Sequence, residues 1–240
     1  MRFFLVVILS GLGFASFGQA QLDSLQLLID KEGDSKRKVE LLNQLSYKLF
    51  DFDVERAGTT IGLSLQLSQK LKDKSGEGWA TAFRGVHFLF SGSLREAEEN
   101  FIQSLKLGRD LQDNNLQSYS LNQLGNVFRD KGVFDSAYHF YRDAERTSLQ
   151  GSNAFYQSVV KMNKTRYYLI LSKPDSALLE VKQAQRLREG LEDSSLMPDV
   201  WLLLGNCYRS KYDLDEAARY YDMVLKAVPR QSVLHYQYLL

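Results

Sequence analysis

The sequence predicts an all-α fold: a solenoid of antiparallel helix pairs. Three observations lead there. Ala57, Ala97, Ala137, Ala177 and Ala217 stand forty residues apart, so one pattern repeats across most of a 240-residue chain. A fixed period of that length marks stacked supersecondary units. Within each period, apolar residues recur at three- and four-residue spacing, the sign of amphipathic helices. Only 3 Pro occur, which suits long helix interiors, because proline removes a backbone donor and clashes with the preceding turn.

Taken in order, the first element is a targeting segment over residues 1–20. Arg2 is followed by the apolar run Phe3 to Leu9, continued by Leu12, Phe14, Ala15 and Phe17. That length suits a signal-peptide core and falls short of the roughly 20 apolar residues of a spanning helix. Ser16 with Gly18, and Gly18 with Ala20, offer small residues at cleavage-like spacing, leaving Gln19 or Gln21 first. The alternative is an uncleaved anchor. Residues 21–35 read as an N-terminal capping helix, with Leu22, Leu25, Leu28 and Ile29 on one face.

Residues 36–230 read as about five two-helix units. The third shows the construction. Leu121, Leu124, Val127 and Phe128 form one apolar helical face, Gly132 breaks the helix, and Phe134, Ala137, Tyr138, Tyr141 and Ala144 form a second. Gly125 and Ala137 allow the two backbones to approach, while Phe128 and Tyr141 fill the adjacent space. A single hairpin cannot cover both faces and must stack on neighbours. Polar connectors separate the units at residues 72–76, 110–114 and 190–194, and Pro174, Pro198 and Pro229 fall at turns or helix ends. Residues 231–240, with Val233, Leu234, Tyr236 and Tyr238, read as the start of a further helix that stops early. Terminal repeats normally carry a polar outer face, so the array is expected to continue beyond Leu240, the alternative being a helix folded back as a cap.

The pattern resembles the tetratricopeptide repeat, W-x2-L-G-x2-Y followed by A-x3-F and P. The fifth unit matches it best, with Trp201, Leu204, Gly205, Tyr208, Ala217, Tyr221 and Pro229. The third keeps Leu124, Gly125, Phe128, Ala137 and Tyr141, with Leu121 in place of Trp. The second keeps Gly85, Phe88, Gly92, Ala97 and Phe101 but carries Arg84 where Leu is expected. In the fourth, Lys164 and Thr165 replace the Leu-Gly pair, while Tyr168 and Ala177 remain. The first keeps Leu45, Ser46 and Ala57, with one residue missing near Asp51. The resemblance implies a right-handed α-α superhelix. A forty-residue unit departs from the usual 34 residues and is similar to the repeats of kinesin light chain and of bacterial peptide-sensing regulators.

Composition narrows the function. With 30 basic and 29 acidic side chains the formal charge is +1, and loss of Arg2 with the leader leaves a neutral chain. That gives no electrostatic footprint for nucleic acid. One Cys excludes an internal disulfide and a multi-cysteine metal cluster; Cys207 reads as a buried small hydrophobe. His87, His139 and His235 have no partner at metal-ligand spacing. No catalytic constellation, cofactor motif or metal site is expected, and binding of a protein or peptide is. Asn122, Asn126 and Arg129 fall on one helical face at spacings of four and three, Asn206 and Arg209 recur eighty residues later, and Arg166 occupies the forty-residue offset. Asn offers donor and acceptor to an extended backbone, and Arg a fork to carboxylates. The resemblance implies that such Asn on the first, concave-lining helices grip a peptide main chain; equally, they serve helix packing while the Arg are solvated.

A leader followed by such repeats looks like the extracytoplasmic input region of bacterial sensor histidine kinases, in which a transmembrane helix and an output domain follow. This reading predicts a secreted, periplasmic, non-enzymatic binding module tethered to the inner membrane through downstream sequence. A kinase domain, if any, lies outside this chain. The alternative is a free periplasmic assembly scaffold with no signalling output.

Overall fold

A computed structural model describes residues 19–151, 153–191 and 196–227. Among these residues there are eleven helices and no strand. The first, α1, spans residues 19–31. Ten more follow in pairs: α2 (Lys36–Leu49) with α3 (Val54–Lys70), α4 (Lys74–Phe90) with α5 (Leu94–Asp110), α6 (Asn114–Asp130) with α7 (Phe134–Gly151), α8 (Ala154–Ile170) with α9 (Pro174–Glu189), and α10 (Met197–Ser210) with α11 (Leu214–Ala227). The all-helical, tetratricopeptide-like solenoid read from the periodicity is the observed fold. The leader up to Gly18, Pro229, the helix expected over 231–240 and part of the 190–194 connector lie outside the described residues.

The chain groups into two compact bodies, residues 21–156 and residues 157 onward, divided within α8. In the first body α1 covers the open end of the first pair. Leu22 and Ile29 are buried, Gln21 accepts from Lys48 Nζ on α2 at 3.2 Å, and Gln26 accepts from Arg56 on α3 at 3.1 Å. Leu28, expected on the packed face, is 48% exposed. Ser35 caps α2, Asp53 caps α3 and Asp113 caps α6, each accepting from a backbone N–H of the first turn. The first helix α4 touches both α2 and α6 as well as the second helices beside it.

The five anchor alanines are all buried, one in the first turn of each second helix. A methyl there lets the second helix approach the first. The close approach continues one helical turn on. A Cβ built on Gly85 would lie 2.6 Å from the Phe101 ring, on Gly125 2.5 Å from Tyr141, and on Gly205 2.4 Å from Tyr221. Each glycine is a seat for a ring that is worth about 1.5–3 kcal/mol when buried. The fourth unit solves the same packing in reverse: Thr165 takes the glycine position and the smaller Val181 the ring position, both fully buried. Phe128 packs beside this seat, stacked on Phe140 at 5.1 Å. Tyr138, expected on the packed face of α7, is 38% exposed. Gly132 closes the α6–α7 turn with φ +74°, in the left-handed region where glycine is unstrained.

The second body repeats the arrangement around Met162, Ala177, Val181, Leu203, Leu204 and Cys207. Burial pushes the Cys207 thiol up to about 12, so it packs as a hydrophobe. The two departures from the repeat pattern carry their own partners. Arg84 donates to Asn100 Oδ1 at 2.6 Å. Lys164 pairs with Glu180 at 2.6 Å, and Lys161 with the same carboxylate at 2.9 Å, all three side chains being largely buried.

Candidate functional site

The polar residues singled out from the sequence are tied into the scaffold. On α6, Asn126 Nδ2 donates to Gln123 Oε1 at 2.5 Å, and Asn126 Oδ1 accepts from the Tyr141 hydroxyl at 2.8 Å. Arg129 lies one turn on, 3.3 Å from Asn126 Oδ1, with its guanidinium on Asp130 at 2.8 Å. Asn126 and Arg129 are therefore brought together. Asn122 does not join them: it is 1% exposed, turned into the packed interior where α6 meets its neighbours. In the second body, Asn206 accepts from the Tyr221 hydroxyl at 2.7 Å and is 8% exposed, while Arg209 is exposed. Arg166 donates to Asn163 Oδ1 at 2.9 Å and lies 3.8 Å from Asp199. Asn126 and Asn206 thus clamp first helix to second.

A different set of residues forms the most distinctive surface of the first body. An aromatic strip crosses four helices: Tyr47 on α2, Phe83 and Trp79 on α4, Tyr119 on α6, and Tyr156 on α8. Neighbouring ring centroids are 5.9 Å apart for Tyr47–Phe83, 5.8 Å for Phe83–Tyr119, 5.5 Å for Trp79–Tyr119 and 5.8 Å for Trp79–Tyr156. These separations are direct ring packing. Phe83 and Tyr119 are buried and make the floor. Trp79 and Tyr156 are half-buried and Tyr47 is 39% exposed, so these three present their rings outward.

The five ring side chains carry no formal charge, and the Asp113 carboxylate lies within electrostatic reach of Tyr156. Burial holds the phenols of Tyr119 and Tyr156 well above the ordinary tyrosine range, with Tyr47 adding to the effect on both. Gln123 Nε2 lies 3.3 Å from the Tyr119 hydroxyl. Among the described residues, neither the Trp79 indole N–H nor the Tyr156 hydroxyl makes a hydrogen bond. The site therefore combines apolar ring faces with two unused donors. Sequence reasoning passed over these residues because only Trp79 and Tyr119 stand forty apart, while Tyr47, Phe83 and Tyr156 occupy other offsets. The available signal was the density of aromatic residues on first helices.

No group of His, Cys, Asp or Glu among the described residues is arranged to hold a metal ion. No described helix is long and apolar enough to cross a membrane.

A family model of the tetratricopeptide repeat matches residues 200–232, the fifth unit. A sequence search of curated proteins finds no match. Solved structures are similar in fold. A thermophilic tetratricopeptide protein of Thermus thermophilus is 22% identical with a TM-score of 0.59, covering 84% of this chain and 97% of that one. A Rap protein complexed with competence and sporulation factor is 12% identical with a TM-score of 0.66, covering 89% of this chain and 72% of that one. The apo form of RapI is 13% identical with a TM-score of 0.67, covering 94% and 82%. The fold is thus a tetratricopeptide-type helical repeat, with the repeat itself matched in sequence over the fifth unit.

Proposed function

We propose that this chain is a peptide-binding module, built from forty-residue units, whose binding surface is the first-helix face centred on Trp79. The observation that carries the reading is the aromatic strip with its two unused donors. Exposed Trp and Tyr rings give large contact area at low conformational cost, and they dominate the energetics of recognition surfaces. Asn126 and Gln123 extend the surface along α6, adding amide groups at its polar end. The similarity to a Rap protein complexed with competence and sporulation factor supports this reading as an analogy of fold.

The setting we propose is extracytoplasmic. It rests on the apolar run from Phe3 to Phe17 with small residues after it. In that setting the module is the input or interaction region of an envelope signalling protein, acting without catalysis of its own. Ligand binding then biases the array between conformations and passes that bias to whatever it is joined to.

Selection of a random-peptide library on the full-length chain tests the site. Enriched peptides are expected to lose at least about tenfold in affinity on Trp79→Ala, as for a central aromatic anchor. Enriched peptides whose affinity is unmoved by Trp79→Ala and by Tyr47→Ala would show that this face is not the site.

A further inference from the structure

We infer that the peptide this face takes is anchored by an arginine side chain, its guanidinium lying on the Trp79 and Tyr156 rings and pairing with the Asp113 carboxylate; the inference rests on the peptide-binding reading above. Three observations within the first body select a cation over a neutral or an acidic anchor.

The first is an unpaired carboxylate. Asp113 is half-buried in front of α6, and its Oδ1 caps the helix, accepting from the Asn115 and Leu116 N–H groups at 2.9 and 3.0 Å. Among the described residues its other oxygen accepts no hydrogen bond, and no Lys or Arg pairs with it. Asp34 and Asp130, by contrast, hold Lys70 at 2.6 Å and Arg129 at 2.8 Å. The second is the place of that charge. A Cβ built on Gly151, at the end of α7, would lie 3.0 Å from Asn115 Oδ1, so the chain leaving α7 brings Tyr156 to the side of the α6 N-terminus. There the Tyr156 phenol, raised first by burial, also feels the Tyr47 and Asp113 charges. The third is the ring faces. Trp79 lies 5.8 Å from Tyr156 and 5.5 Å from Tyr119, in direct contact, so an occupant rests on the outward faces and not between the rings. Those faces carry the negative pole of the ring quadrupole. Lys131, Lys182 and Arg219 sit over Phe128, Tyr208 and Tyr220, whereas among the described residues no cation covers Trp79 or Tyr156.

A guanidinium fits this set better than an ammonium. It is planar and weakly hydrated, and it stacks on a ring while its edge donors reach carboxylate and phenol oxygens. A backbone carbonyl of the same segment then answers the Trp79 indole N–H. An acidic anchor would meet Asp113 as a like charge.

Titration calorimetry of the full-length chain with peptides selected on it from a random library tests this. The selected peptides are expected to carry an arginine at one fixed position. Replacing it with citrulline, which keeps the shape and removes the charge, is expected to weaken binding at least about tenfold, and replacing it with lysine at least about threefold. Asp113→Asn is expected to weaken binding about tenfold. Asn caps a helix as well as Asp does, so this variant removes the charge and keeps the fold, which circular dichroism verifies. Affinity is expected to fall at least about threefold from low to high salt for the parent chain, and less than about twofold for Asp113→Asn. Selected peptides without arginine, citrulline or lysine peptides that bind as tightly, or an Asp113→Asn chain that binds equally well, overturn the inference. If those peptides still lose affinity with Trp79→Ala, the arginine assignment falls while the peptide-binding reading stands. If they also ignore Trp79→Ala and Tyr47→Ala, or if no peptide is enriched, both fall.

Discussion

Tyr141 donates its hydroxyl hydrogen to Asn126 Oδ1 at 2.8 Å, and Tyr221 meets Asn206 in the same way at 2.7 Å. The two pairs are eighty residues apart and geometrically alike. Each joins the first helix of a unit to the second, at the mouth of the seat where the ring rests on glycine. Asparagines that the sequence marks as ligand contacts thus also hold the repeat together. Tyr141→Phe and Tyr221→Phe should each lower stability by about 1 kcal/mol, the net value of one such bond. Urea denaturation of the single variants measures this.

The ring seats predict a sharper contrast. Gly125→Ala places a methyl 2.5 Å from the Tyr141 ring, and Gly205→Ala one 2.4 Å from Tyr221. Overpacking of this kind costs about 1–3 kcal/mol. Gly62 lies on the exposed side of α3 with nothing near its Cβ position, so Gly62→Ala should stabilise by about 0.5–1 kcal/mol through helix propensity. Opposite shifts in thermal midpoint are the expected result.

The buried charges of the fourth unit give a third prediction. Glu180 receives both Lys161 and Lys164, and removing one member of a buried pair costs about 3–5 kcal/mol. Glu180→Gln should show a loss of that order. The third unit carries Leu121, Leu124 and Phe140 at the matching positions. Grafting them together as Lys161→Leu, Lys164→Leu and Glu180→Phe should restore stability to within about 1–2 kcal/mol of the parent, because a well-packed apolar set replaces a buried ion pair at little cost. Denaturation of the single and triple variants compares the two.

How much of this was legible beforehand follows from where each partner sits in the chain. The five alanines and the glycine–ring seats were readable because they recur at one offset, imposed by a helix crossing that every unit must make. Arg84 and Lys164 were visible as departures, but Asn100 and Glu180, sixteen residues further on, were not visible as their answers, since a polar residue on a second helix looks solvent-facing until the first helix is placed. Spacings of three and four group Asn122, Asn126 and Arg129, and the structure brings only Asn126 and Arg129 together. They did not reveal that α4 lies against α6 and encloses Asn122. The aromatic strip draws its members from four helices at unequal offsets, so periodicity hides it.

The strip also predicts a pH dependence. Burial holds the Tyr119 and Tyr156 phenols above the ordinary tyrosine value, whereas in the unfolded chain they ionise near about pH 10. A group whose folded-state value is raised contributes stability that is present below the unfolded value and lost as pH rises toward the folded one. Stability should therefore hold up to about pH 10 and fall above it, and Tyr119→Phe should flatten the fall. In the native state, spectrophotometric titration should find fewer than the full 13 Tyr ionising in the ordinary range, with the remainder appearing only on unfolding.

The most direct test is optical. The chain has 2 Trp, at 79 and 201, so in a Trp201→Phe protein the emission reports the strip alone. Titration of that protein with peptides selected on the full-length chain should give a saturable shift in Trp79 emission, with a midpoint equal to the calorimetric affinity, and Tyr47→Ala should weaken both together. Peptides that bind by calorimetry and leave Trp79 emission unchanged would contradict the assignment of this face as the binding surface.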